Sequence, residues 1–354
     1  MTGRVILWRI LPSCSGLSAI CASFFLGHSL YSVFLFAMFG FGIGLNLLNE
    51  GVLLFLLTAA SFLFVGIKGL RDIFVPAAPS PPQNTETGHR VYRRTILTAL
   101  LFLFFVLALG LFALSLLMPV SDLAEVAIWC YKAKILAVET ESFFRILSDG
   151  ERLFAQGAYP PGFSFFLLPF FQICGEQSDV IVKIIPPITG LFCVLMVYDV
   201  LRLNSGSRGM GLFLTLTYAA SFGFIMCCVR VYGDMFCIAL AIFGIHILFE
   251  IAGENNSVPC GKLKNFKMIF ASCLFLGASA WFKNEGLLYL LSALTIFAIL
   301  NRGKNRYYEC MISLAIPALI FILPWLAVKM LGGLELRDFL IMSAVLSGNL
   351  GEYQ

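Results

Sequence analysis

The sequence predicts an all-α fold, a polytopic transmembrane helical bundle of about ten spans with a long extracytoplasmic loop that carries amphipathic interfacial helices. Three observations lead there. Of 354 residues, 60% are apolar or aromatic and only 12% are charged, against roughly half and a quarter in soluble domains. Apolar runs of close to the roughly 20 residues that cross a bilayer recur along the chain. Lysine and arginine collect in the short segments between those runs, as they do on the cytoplasmic side of membranes.

Taken in order, the spans fall near 5–26, 30–48, 51–67, 96–118, 181–201, 210–229, 235–252, 268–282, 286–300 and 310–330. Residues 1–67 form an additional N-terminal unit. The apolar stretch from Val5 to Ile67 far exceeds the core of a cleavable signal, so insertion uses the first span. Residues 68–95 are a cytoplasmic linker containing the proline-rich "PAAPSPPQNTETGHR". The main transmembrane domain is 96–354.

Four basic clusters are assigned to the cytoplasm: Lys68 to Arg94, Arg202 with Arg208, Lys262 to Lys267, and Arg302 to Arg306. Residues 119–180 then lie outside, including "GFSFFLLPFF", which is too short to cross and reads as an interfacial or re-entrant helix. Arg4 and Arg9 also favour the cytoplasm, which three leading spans contradict. Either the positive bias is overridden there, or 5–67 contains only two true spans.

Several classes are excluded. A net charge of +4 is too small to argue for nucleic acid. There is no P-loop and no GxGxxG after a strand, so a soluble nucleotide-sugar site is not expected. The 11 cysteines are scattered without CxxC or Cys/His spacing and read as apolar packers, with no metal site. His28 and His246 sit singly among apolar residues and read as packing residues.

The chemistry concentrates in "SDLAEVAIWCYKAKIL", residues 121–136. Ser121 is a helix N-cap, and Asp122 and Glu125 stand three apart on one face. Trp129 and Tyr131 are interfacial residue types, and Lys132 and Lys134 follow within a turn. An acid beside cations at a lipid surface can take a proton from an attacking hydroxyl while the lysines stabilise a phosphate leaving group. The same pattern also suits an amphipathic surface helix whose acids match its dipole. Asp234 opens a span and reads either as a cap or as a cavity-facing carboxylate. Lys283 and Glu285 read either as a solvated turn or as a phosphate contact with its partner.

"WCYKAK", "YPPG" before a short apolar helix, "VKIIPP", "VYGDMFCIALA", "WFKNEGLLYLL" and "LPWLAVK" occur in that order between Thr95 and Lys329. Together they resemble the membrane-embedded glycosyltransferases of the GT-C superfamily, in particular bacterial protein mannosyltransferase-like members that use polyprenyl-phosphate sugars. The resemblance implies an integral protein of the bacterial cytoplasmic membrane with its active site outside. It implies Asp122 as catalytic acid/base, with Glu125 a second acid displaced from the usual adjacent position. Lys132, Lys134 and Lys283 become donor-phosphate contacts; Trp129, Tyr159, Asp234 and Glu285 position substrate. The expected partners are the lipid-linked sugar as co-substrate, a glycan, lipid or protein acceptor, and the bilayer. No cofactor is required, and assistance by a divalent cation stays open. The alternative is a transporter or lipid flippase, a class that places broken helices and polar residues at mid-membrane.

Overall fold

The computed structural model describes residues 3, 17–74, 87–120, 128–138, 159–174, 179–254, 262–300 and 307–331, among which the regular structure is helix without strands. The chain opens with α1 (Leu17–Gly40) and α2 (Leu47–Phe74). Between them lies "GFGIGLN". Ile43 N–H donates to Met38 O at 2.9 Å and Gly42 N–H to Phe39 O at 3.0 Å, with Gly42 at φ +72°. That left-handed closure ends a helix without a Cβ penalty. Asn46 then caps α2, its Oδ1 accepting from Asn49 N–H at 2.9 Å.

The expected span 30–48 is therefore corrected. Residues 30–40 complete α1, 41–46 turn, and 47–48 begin α2. Two helices stand over 17–74 where the hydropathy reading puts three spans from 5 to 67, because continuous hydropathy hides a break made by backbone conformation. The linker 68–95 is also narrower, since α2 continues through 68–74 and α3 (Thr87–Leu117) begins inside it.

α4 (Tyr131–Val138) and α5 (Gly162–Cys174) follow, and a 3-10 turn at Val182–Ile184 leads into α6 (Ile185–Ser205), with proline in its first turn. Then come α7 (Arg208–Ala219) and α8 (Phe222–Val229), α9 (Asp234–Glu254), α10 (Lys262–Phe282), α11 (Glu285–Leu300) and α12 (Tyr307–Leu331). Among the described residues, three helical segments are long and apolar enough to cross a membrane: Leu17–Gly40, Val182–Ser205 and Asp234–Ile251. The expected span 210–229 is two helices bent by 68°, which make a fourth if they act as one. Ser221 causes the break, its Oγ accepting from Phe224 N–H at 3.4 Å and starting α8 anew.

α10 is the centre of the bundle, packed against α9, α11 and α12 and touching α1 and α5. Small residues permit this. A Cβ on Gly277 would stand 2.5 Å from Ala318 Cα, and Ser272 Oγ donates to Gly244 O at 2.7 Å across α9 and α10. Lipid gives helices little hydrophobic reason to associate, so close backbone approach and hydrogen bonds carry the contact.

α1 runs antiparallel to α6, and one buried acid fixes its start. Asp199, 2% exposed, accepts Ser18 N–H at 2.9 Å and pairs with Arg202 Nη2 at 2.6 Å. Removing the carboxylate leaves a helix N-terminus and a guanidinium without their acceptor. Asp199→Ala is expected to cost roughly 2 kcal/mol in thermal unfolding of the detergent-purified protein, and Asp199→Asn distinctly less, because the amide still accepts from Ser18.

Candidate functional site

At one end of the bundle the backbone of Gly233 meets three elements. A Cβ there would lie 3.2 Å from Phe282 O and 3.4 Å from both Phe163 Cβ and the Trp129 indole. Trp129 is 1% exposed and packs edge-on against Tyr159 and Phe163, with ring centroids 5.9 and 5.6 Å away. Ser164 Oγ donates to Trp129 O at 3.2 Å. Gly162 is held still closer, since a Cβ would fall 2.3 Å from Trp281 O. The prolines of "YPPG" start α5, and its glycine lets that start press against the end of α10.

The residues beside these contacts are the charged ones. Asp234 follows Gly233, and Lys283 follows Phe282. Lys283 Nζ lies 2.7 Å from Asp234 Oδ1 and 3.1 Å from Glu285 Oε1. Burial works against the lysine's charge, but the Asp234 and Glu285 carboxylates outweigh it and hold its proton affinity above that of a free lysine. Asp234 and Glu285 also stand in the first turns of α9 and α11, where an acid matches the helix dipole. Glu285 Oε2 is buried with no hydrogen-bond partner. Two carboxylates around one ammonium leave the trio net negative, so a phosphate reaching Lys283 competes with both acids.

Lys132 and Lys134 do not act as a pair. Two positions apart on α4, they leave the helix on nearly opposite sides. Lys132 is 1% exposed and donates to Tyr159 O at 3.3 Å. Lys134 Nζ lies 2.9 Å from Asp179 Oδ1 and 5.3 Å from the centre of the Phe171 ring. The described part of the "SDLAEVAIWCYKAKIL" helix is thus buried rather than laid on a surface, with Trp129, Cys130, Ala133 and Leu136 enclosed. α5 is likewise enclosed by the rest of the bundle from Gly162 to Leu168. Asp122 and Glu125, with their Ser121 cap, lie outside the described residues.

The structure adds groups that the sequence reading leaves without a role. Lys183, from "VKIIPP", is 4% exposed and donates to Val229 O at 3.0 Å, tying the start of α6 to the end of α8. A lysine heading an apolar run is a legible signal. Ser32 of α1 accepts from Trp281 Nε1 at 2.7 Å, and nothing in its local sequence marks it. Between α9 and α11 lies an apolar groove of about 100 Å³, lined by Leu248, Phe249, Tyr289, Ala293 and Ile296 among others. Tyr289 is one helical turn beyond Glu285, so the groove begins beside the charged trio.

Fold and site define an all-helical chain, apolar enough to span a membrane, with an aromatic-lined charged cluster at one end of its bundle. The chain matches no family model, no curated protein and no solved structure.

The two glycines at this end make a graded test. Gly162→Ala drives a methyl into backbone and is expected to cost about 1–3 kcal/mol. Gly233→Ala meets contacts of 3.2–3.4 Å and should cost clearly less. Thermal unfolding of the two variants side by side checks the order.

Proposed function

We propose that the chain is a membrane glycosyltransferase of the GT-C type, with about ten spans, in a bacterial cytoplasmic membrane. It moves a sugar from a polyprenyl-phosphate donor to a hydroxyl of a glycan, lipid or protein acceptor on the extracytoplasmic face. The observation that carries the reading is the meeting of Trp129, Tyr159, Lys132, Asp234, Lys283 and Glu285 at one end of the bundle, with an apolar groove starting one turn away.

The sidedness follows from charge. Ser18 lies against the Arg202 end of α6, and a basic end is a cytoplasmic end.

In this reading the lipid brings the donor in sideways, its tail in the α9–α11 groove and its phosphate at the cations. Asp122 takes the acceptor hydroxyl proton. The acceptor oxygen forms its bond to the anomeric carbon as that carbon's bond to the phosphate oxygen breaks, and polyprenyl phosphate leaves with the electron pair. One displacement inverts the anomeric centre. Lys132 and Lys283, at the same end of the bundle, stabilise the phosphate charge that develops. Glu285 Oε2 supplies an acceptor for a sugar hydroxyl. A transporter reading would draw on the broken α7–α8 helix, where Ala220 to Gly223 are exposed.

Donor-dependent transfer by the purified protein tests the class. Asp122→Asn removes the base at nearly constant size and should lower kcat about 10²- to 10⁴-fold, with Glu125→Gln well above it. Equal, near-wild-type activity of both variants would remove the catalytic assignment. Ala293→Trp fills the groove and should raise the apparent KM for a long-chain polyprenyl donor about tenfold, the equivalent of roughly 1.4 kcal/mol of tail contact. A donor with one or two isoprene units should be used almost as before.

A further inference from the structure

The hydropathy reading sets residues 1–67 apart from the main transmembrane domain, yet α1 supplies a stripe of side chains to the floor of the charged site. Phe25 meets Phe236 edge-on at 5.2 Å, and His28 meets Phe166 at 5.1 Å. Phe36 meets Trp281 at 5.2 Å and Phe165 at 5.4 Å. Ser32 lies between them. Positions 25, 28, 32 and 36 recur every three or four residues, which is one face of a helix.

The polar contact on that face is directional. Ser32 Oγ donates to Ser29 O at 2.9 Å, which leaves its lone pairs for Trp281 Nε1, and that indole N–H donates to it at 2.7 Å. Both side chains are 0% exposed, so water does not compete for the bond. Trp281 is the penultimate residue of α10, and Lys283 N–H continues the helical ladder to Ser279 O at 3.2 Å. Lys283 therefore follows the rotation of α10. Two residues along an α-helix make a turn of about 200°. An indole held toward α1 thus sends Lys283 to the opposite side, where Asp234 Oδ1 of α9 receives its ammonium at 2.7 Å.

We propose that Ser32 is a positioning residue for the charged site: through it α1 grips the Trp281 indole and sets the last turn of α10, which carries Lys283 to Asp234 and Glu285. The role rests on reading that cluster as the place of sugar transfer, where a displacement on the order of 1 Å is enough to slow a reaction. Loss of the Ser32 hydroxyl strands a buried indole N–H, and shifting the last turn of α10 relieves that cost.

The chain holds four tryptophans, so fluorotryptophan labelling of the full protein in detergent gives a short fluorine NMR spectrum, assigned by replacing each tryptophan in turn with phenylalanine. Trp129 is the reporter, because Tyr159, Phe163 and Gly233 hold it and it senses the site rather than the Ser32 bond itself. Ser32→Ala should move the Trp129 resonance as well as that of Trp281. It should also lower kcat for donor-dependent transfer about tenfold, with the apparent KM for the donor within about twofold of wild type. Ser29→Ala is the control, since that hydroxyl donates to Phe25 O at 2.7 Å within α1; it should lower Tm while leaving Trp129 and kcat in place. A Trp129 resonance that stays put in Ser32→Ala, an unchanged kcat, or an equal shift in Ser29→Ala overturns the assignment. If wild-type protein transfers no sugar, the transferase reading fails, and the Trp129 resonance alone decides whether Ser32 positions the cluster. If Ser32→Ala does not fold, Ser32→Cys, close in size with a weaker acceptor, is compared with wild type, and an unmoved Trp129 resonance there overturns the assignment in the same way.

Discussion

A charge at the end of an apolar bundle must find its partner within the protein, because lipid offers none. Lys283 does so with Asp234 and Glu285, and that one arrangement pins three helix ends together. It ties the start of α9 to the end of α10 and the start of α11, across a turn with room for little beyond the lysine itself. Gly286 shows how tight the turn is, since a Cβ there would lie 2.3 Å from Ala280 N. The surrounding aromatic shell, Trp129, Phe163, Phe236 and Phe282, is positioned by those same ends. Phe236 stacks on Phe282 at 4.5 Å, and both rings are buried, so the floor beneath the charged trio is apolar.

α5 transmits this arrangement to the rest of the molecule. Its first residues press on α10 through Gly162, its middle packs against α1 through Phe165 and Phe36, and its last turns reach α2 through Gln172. An enclosed helix with Pro169 inside it gives up a backbone hydrogen bond and depends on its neighbours for its position. Such an element is fixed by tertiary contacts alone.

The cations divide the same end of the bundle into compartments. Lys132 is drawn to the Tyr159 carbonyl, Lys183 to that of Val229, and Lys134 to Asp179. Lys283, held by two acids, presents little net charge of its own.

The membrane class was legible in composition, and the charged end of the bundle in the spacing of "WCYKAK", "YPPG", "VYGD" and "KNEG", because a charge beside a long apolar run is costly and conspicuous wherever it occurs. Breaks inside apolar runs were harder. The Gly42 closure and the Asn46 cap carry residue-level signals that hydropathy averages away, and the Ser221 break is a single hydroxyl among apolar neighbours. Asp122 and Glu125 remain sequence inferences. By itself the sequence determined which residues could not face lipid unaided. Only the tertiary structure decided who answers them: that Lys132 and Lys134 part, that Asp234 and Glu285 share Lys283, and that Ser32 supports Trp281 from 249 residues away. The physical reason is that a polar group's need for a partner is local, whereas the partner is chosen by how distant helices pack.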